Sequence, residues 1–272
     1  MYVVSQFTSS VAVISGTKLV ANISVPGNPY ALLFDSRDGY VYTANYGNNG
    51  AGSTVSVISA TYLVTSIKVG AGPDSLVYDP YDDYVYVGNA GAGYLSVISG
   101  TQVIGNVPVP YYTYAMAYNP SNHYVYVTSA QAGSEGNVTI VSNETVVATM
   151  RAGVFPSALV YNPANQLMYV IVEGEPGPQG ISTVLAISNT SVVGNTTVGN
   201  YATALAYDPN DQRVYVTLYG PNQVAVISGT ALLGDIGVGE GPSALAYDPS
   251  NHYVYVVNAG FAGPGSVSVI SG

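Results

Sequence analysis

The chain has 272 residues, enough for one large all-β domain or two average domains, and only 7% of them are charged against roughly 25% in an ordinary soluble domain. Its five basic residues (Lys18, Arg37, Lys68, Arg151 and Arg213) are scattered within a net charge of −10. That distribution excludes a phosphate-neutralising nucleic-acid surface and a polybasic membrane patch, and it favours cationic or neutral partners.

The elements follow one another in a fixed order, each short, β-branched or aromatic, and bounded by Gly, Pro, Asn or Asp. The chain opens inside a strand at Met1-Tyr2-Val3, and Val11–Ser15 comes next. The first complete set follows: strand A at Ala31–Asp35, B at Tyr40–Asn45, C at Val55–Ser59 and D at Tyr62–Val69. B-type segments return at Tyr84–Val87, Tyr124–Val127, Met168–Val170, Val214–Val216 and Tyr253–Val256. C-type segments return at Leu95–Ser99, Val138–Ser142, Val184–Ser188, Val224–Ser228 and Val267–Ser271. An aromatic followed by Asp or Asn closes each A strand, at Phe34-Asp35, Tyr78-Asp79, Tyr118-Asn119, Tyr161-Asn162, Tyr207-Asp208 and Tyr247-Asp248. The spacings are 44, 40, 43, 46 and 40 residues, the period of a propeller blade.

No window shows a convincing helical period, so almost no helix is expected. Four-stranded sheets with two apolar faces stack radially, which predicts an all-β fold, a β-propeller of about seven blades. The count is six A, seven B, seven C and six D strands, so the first blade lacks A and the last lacks D. A piece of a longer array and a six-bladed ring are the alternatives. Residues 1–272 are read as a single propeller domain.

The polar features are weighed against ordinary turn chemistry. Each aromatic-Asp/Asn turn carries a second Asp or Asn: Asp38, Asp82, Asn122, Asn165, Asp211 and Asn251. Two oxygens per turn fall short of the 6–8 that calcium prefers, whereas a type I turn accounts for both residues. The histidines, His123 and His252, occupy equivalent turn positions, and zinc needs three or four converging ligands. No nucleophile elbow G-x-S-x-G occurs. Glu135, Glu144, Glu173, Glu175 and Glu240 fall in or near loops, where their charge is expected to be solvated. The glycine-rich stretches join B to C strands and read as hairpin loops of variable length, the natural place for blade-specific recognition.

Two residue sets remain as candidate sites. Openings of the A strands, at the mouth of the channel, carry Tyr30, Asp74, Tyr114, Ser157, Thr203 and Ser243 as ligand contacts, with Asp74 the only charge among them. N-x-S/T sequons at Asn22, Asn137, Asn143, Asn189 and Asn195 offer glycosylation on an exported chain, four of them near C–D connections.

The segment Pro242–Ala259, P-S-A-L-A-Y-D-P-S-N-H-Y-V-Y-V-V-N-A, followed by S-V-S-V-I-S at Ser266–Ser271, resembles the YVTN β-propeller repeat family. The likeness covers essentially the whole chain. It departs from the family where the terminal Asn, kept at Asn45, Asn89 and Asn258, becomes Ser129, Val172 and Leu218. The Asp of the V-I-D strand is Ser in most blades. The resemblance implies an extracellular or envelope protein, as in archaeal surface-layer proteins. Related propellers include a sugar-lactone hydrolase and haem or copper reductases.

From this the chain is expected to be a non-enzymatic scaffold that binds protein or glycan partners at the cell surface through its blade loops, without a cofactor. The alternative is a hydrolase of the sugar-lactonase type acting at the channel mouth. Membrane insertion is not expected, since no apolar stretch reaches about 18 residues. The opening MYVVSQFTSS has no basic region or cleavage site, so the chain shows no export signal of its own. With no cysteine, the redox compartment stays undetermined.

Overall fold

The computed structural model describes residues 1–110, 112–131, 134–174, 180–261 and 263–271; Glu175 and parts of three glycine-rich loops lie outside them. Among the described residues, twenty-six strands form seven antiparallel sheets, with one short 3-10 turn at Asn48–Gly50. The chain divides into two compact units, and the division falls inside the fourth sheet.

The first unit holds three whole sheets. They are β1 (Tyr2–Ser5), β2 (Ser10–Ser15) and β3 (Lys18–Ser24); then β4 (Pro29–Phe34), β5 (Tyr40–Asn45), β6 (Thr54–Ser59) and β7 (Tyr62–Lys68); then β8 (Pro73–Asp79), β9 (Tyr84–Asn89), β10 (Tyr94–Ser99) and β11 (Gln102–Pro108). The fourth sheet is β12 (Thr113–Asn119), β13 (Tyr124–Ser129), β14 (Glu135–Ser142) and β15 (Thr145–Val154). The second unit holds β16 (Pro156–Asn162), β17 (Leu167–Val172), β18 (Ile181–Ser188) and β19 (Ser191–Asn200). Beside them come β20 (Ala202–Asp208), β21 (Arg213–Leu218), β22 (Gln223–Ser228) and β23 (Ala231–Gly237), and last β24 (Pro242–Asp248), β25 (Tyr253–Asn258) and β26 (Ser266–Ser271). The first and last sheets are three-stranded and the other five are four-stranded, each meandering in chain order, which is the strand plan of β-propeller blades.

Burial explains the sequence pattern. The second and third strands of a four-stranded blade are buried along almost their whole length, because both sheet faces meet a neighbour. Val55, Val57 and Ile67 of one sheet thus pack with Val85, Val87 and Ile98 of the next. Each such side chain contributes about 1.5–3 kcal/mol by leaving water. The outer strands are mostly exposed instead: β7 buries only Ile67 and β11 only Val107.

The second Tyr of the repeated Tyr-Val-Tyr does more than fill space. Tyr42, Tyr86, Tyr126, Tyr169 and Tyr215 are fully buried. Tyr42 donates its hydroxyl to the Gly100 carbonyl at 2.7 Å, and Tyr169 donates to Gly229 at 2.8 Å. In both cases the acceptor is the tight turn between the last two strands of the following sheet, so one side chain ties two blades. Burial first, then nearby carboxylates, pushes the Tyr42 phenol well above its usual range, so it remains a donor.

The turns between first and second strands follow one plan. Asp79 Oδ1 accepts from the Tyr81 amide at 2.9 Å, Asp208 Oδ1 from Asn210 at 2.8 Å, and Asn119 Oδ1 from Ser121 at 2.8 Å. The residue closing the turn takes a positive φ, 62° at Asp83, 59° at His123 and 61° at His252. The second acidic or amide residue grips the buried Tyr: Asn165 Nδ2 donates to Tyr169 Oη at 2.8 Å, and Tyr215 Oη donates to Asp211 Oδ2 at 2.7 Å. Both residues of the turn motif therefore serve the fold.

One expectation is corrected. Glu144 is not a solvated loop carboxylate: it is half-buried, its Oε1 is enclosed, and it fills the space left by the missing side chain of Gly105. Glu135 is exposed and lies 3.3 Å from Arg151. Among the described residues no helix is long and apolar enough to cross a membrane.

Candidate functional site

Every first strand of a four-stranded blade, and of the last sheet, begins with an irregularity in its pairing. Pro73 pairs with Asn89 and Ser75 with Gly88, so Asp74 is skipped. The same slip skips Tyr30, Tyr114, Thr203 and Ser243, and it spans Ser157 and Ala158. All six A-strand candidates are thus bulge residues, whose side chains are released from the regular alternation.

In the first unit, Tyr30, Asp74 and Tyr114 line one cavity of about 410 Å³ together with Tyr46, Ala90, Tyr112 and Thr113. The Tyr30 and Tyr46 rings lie 5.6 Å apart, tilted by 40°. Tyr30 and Tyr112 are 56% and 48% exposed, so both rings remain accessible. Tyr112 sits at φ 57°, a left-handed conformation that costs an L-residue about 1–2 kcal/mol. Its ring lies at the cavity, its amide is held by the Ala90 carbonyl at 3.0 Å, and the equivalent Phe155 and Tyr201 take the same conformation, at φ 59° and 57°.

Asp74 is the acid of this cavity. Its Oδ1 accepts from Ser75 Oγ at 2.9 Å and from Thr113 Oγ1 at 3.4 Å. Burial raises its pKa to about 7, against the lowering effect of the two hydroxyls. Gly88 makes the arrangement fit: a Cβ there would collide with Ser75 Oγ and come within 2.9 Å of Thr113 Oγ1 and 3.2 Å of Asp74 Oδ1.

The chain's own repeats show how unusual this is. Ser75 stands where the other blades have Ala31, Ala115, Ala158, Ala204 and Ala244. Gly88 stands where they have Ala44, Thr128, Ile171, Thr217 and Val257. Thr113 replaces a residue that is Pro at 29, 73, 156 and 242 and Ala at 202. Three departures from the repeat thus meet at one carboxylate. Ser75, Gly88, Thr113, Tyr46 and Tyr112 do not emerge from a motif search; position-by-position comparison of the blades is the signal that finds them.

In the second unit the equivalent positions are occupied differently. Thr203 Oγ1 lies 2.8 Å from Thr217 Oγ1 and donates to the Pro242 carbonyl at 3.2 Å. Ser157 Oγ is buried with no hydrogen-bond partner among the described residues, and Ser243 Oγ is 3.5 Å from the Val257 carbonyl. A cavity of about 550 Å³ lies beside Tyr201, Leu218, Pro221 and Asp235. It is larger, yet its single carboxylate, Asp235, is exposed on the outer strand β23, so it lacks the concentrated chemistry of the Asp74 cavity.

Four sequon asparagines, Asn22, Asn143, Asn189 and Asn195, are exposed, and Asn137 is half-buried in β14. Asn143 and Asn189 occupy tight turns at φ 43° and 50°, a conformation Asn tolerates well, so local structure also accounts for them. His123 stacks on Tyr81 at 4.0 Å between ring centres, and His252 Nδ1 lies 2.8 Å from Tyr247 Oη. Among the described residues no three His, Cys, Asp or Glu side chains converge as a metal site would need.

No family model and no curated protein matches the chain. Solved structures do. Hydrazine synthase of Kuenenia stuttgartiensis is 19% identical, with a TM-score of 0.76 over 100% of this chain and 92% of that one. A protein assigned as a 6-phosphogluconolactonase from Bacteroides uniformis is 16% identical, with a TM-score of 0.65 over 94% and 83%. The WD40 β-propeller domain of Doa1 is 13% identical, with a TM-score of 0.66 over 99% and 88%. At these identities the likeness establishes the β-propeller fold alone, which enzymes and other proteins share.

Proposed function

We propose that this chain is a non-enzymatic, YVTN-type propeller module that binds a partner through the cavity and loops at the openings of its first strands, at the cell surface or in the envelope. The observation that carries the reading is the Asp74 cavity, an aromatic-walled recess built from departures within the repeat. Rigid sheets hold variable loops around it, the usual arrangement of a binding surface. Surface location is supported by the exposed sequons and by the 7% charged composition. Protein or glycan partners suit such a tyrosine-rich face, since Tyr combines an apolar ring with a polar tip.

Two measurements test this. Titration of the protein with oligosaccharides and small metabolites, followed in tyrosine ring NMR signals, should shift the resonances of Tyr30 and Tyr112. Labelling of intact source cells with a membrane-impermeant reagent should modify Lys18 or Lys68. Ring signals indifferent to every ligand, or labelling only after lysis, would overturn the reading.

A second reading, hydrolysis of a sugar lactone, is favoured by the raised pKa of Asp74, because displaced pKa values collect at catalytic sites. Hydrolysis needs a second group to activate water and donors for the developing oxyanion. The remaining polar lining of the cavity is tyrosine hydroxyl and Thr113, whose hydroxyl already points to Asp74. Binding is therefore the better account.

A further inference from the structure

We infer that the Asp74 cavity is a receptor for an organic ammonium group, with Asp74 as counter-ion and the rings of Tyr30, Tyr46, Tyr112 and Tyr114 as its walls. The inference rests on the binding-module reading and names the ligand class.

Asp74 is a half-buried carboxylate with no cationic side chain beside it among the described residues. No Lys or Arg lines the cavity among the described residues, and the three arginines lie against Asp83, Glu135 and Asp211. Two hydroxyls accommodate its charge only in part, since burial still dominates. A ligand cation supplies the missing counter-charge where solvent screening is weak. Tyr faces attract the same cation through their quadrupole, most strongly alkylated ammonium groups that shed water easily.

Other cations fit less well. Calcium takes 6–8 oxygens, and the cavity presents one carboxylate. A guanidinium prefers a bidentate carboxylate, whereas Asp74 Oδ1 is already engaged by Ser75 and Thr113. The volume of about 410 Å³ suits a small molecule. The chain's net charge of −10 draws cations towards it.

The groups facing Asp74 are Thr113 and Tyr114 from β12, Ser75 from β8, and the tyrosines 30, 46 and 112. Among the described residues Asp74 is the one carboxylate lining the cavity, so pH acts on the site through it. A ligand cation needs the ionised acid. Binding should strengthen as pH rises through about 7 and persist until the amine itself loses its proton; a quaternary ligand keeps its charge throughout.

The test is titration of the full chain, by calorimetry and tyrosine NMR, with choline and with its neutral isostere 3,3-dimethylbutan-1-ol. At pH 8 choline should bind at least about tenfold more tightly. Asp74→Asn, which keeps shape and can still accept both hydroxyls, should abolish that preference, and lowering the pH to 5.5 should weaken choline by about tenfold or more. Tyr112→Gly, which removes a wall and relieves a strained backbone, should weaken choline with the fold intact. Nα-acetyl-lysine amide extends the series: tighter binding than choline would identify a partner's lysine side chain as the source of the ammonium, and weaker binding a small metabolite. Equal affinity for choline and the neutral alcohol, or a preference untouched by Asp74→Asn, would overturn the inference. A neutral ligand bound at Tyr112 independently of Asp74 would overturn it too, while leaving the binding-module reading in place.

Discussion

Ser75 Oγ donates to Asp74 Oδ1 at 2.9 Å across the space that Gly88 leaves open. The hydrogen bond depends on a residue in the neighbouring strand having no side chain. Gly88→Ala should displace the Ser75 hydroxyl and crowd Thr113. Because both hydroxyls lower the Asp74 pKa, their loss should move its titration above about 7. The carboxyl carbon chemical shift of Asp74, followed against pH, reads this directly; an unmoved midpoint would mean the hydroxyls do not set it.

Asp74 also links stability to pH. Its folded pKa of about 7 lies above the ordinary carboxylate value of about 3.9, so the folded state holds this proton more tightly than the unfolded chain. The resulting stabilisation is complete below about pH 4 and is lost as pH rises through about 7. Urea unfolding should show Asp74→Asn gaining stability relative to wild type between pH 5 and pH 8. A gap independent of pH would contradict the assignment.

The buried tyrosines carry a separate expectation. Tyr42→Phe keeps the ring and removes the hydroxyl that reaches Gly100 O at 2.7 Å. It should cost about 1 kcal/mol, the usual worth of a buried hydrogen bond. Tyr40→Phe is the control: Tyr40 is only half-buried, so its loss should be smaller. Equal losses in denaturant midpoint would refute the inter-blade tie.

Tyr112→Gly tests whether strain has been accepted for function. Glycine relieves about 1–2 kcal/mol of left-handed strain and costs about 0.5–1 kcal/mol in chain entropy. Stability should therefore stay within about 1 kcal/mol of wild type while the cavity loses a wall. A large loss would show that the ring is needed for packing.

The strand plan was legible in the sequence because each blade repeats the same cues. Tyr40–Asn45 and Val55–Ser59 are near-continuous apolar runs ended by turn residues, and β5 and β6 form there. The asparagine-aspartate turns were legible for the same reason: Asp79 and Asp208 accept backbone hydrogen bonds as a type I turn requires. Tyr30, Asp74 and Tyr114 could be placed at strand openings, but not gathered around one cavity, because their convergence depends on bulges that carry no residue signature of their own. Glu144 misled for a related reason. A glutamate in a turn reads as solvated unless one knows that Gly105, in another sheet, leaves room for it.

Progress curves for a panel of sugar lactones, recorded by pH-stat with wild type and Asp74→Asn in parallel, test the central claim most directly. A binding module should leave both traces on the buffer baseline. Turnover by wild type that disappears in Asp74→Asn would make Asp74 a catalytic acid or base, and the protein an enzyme.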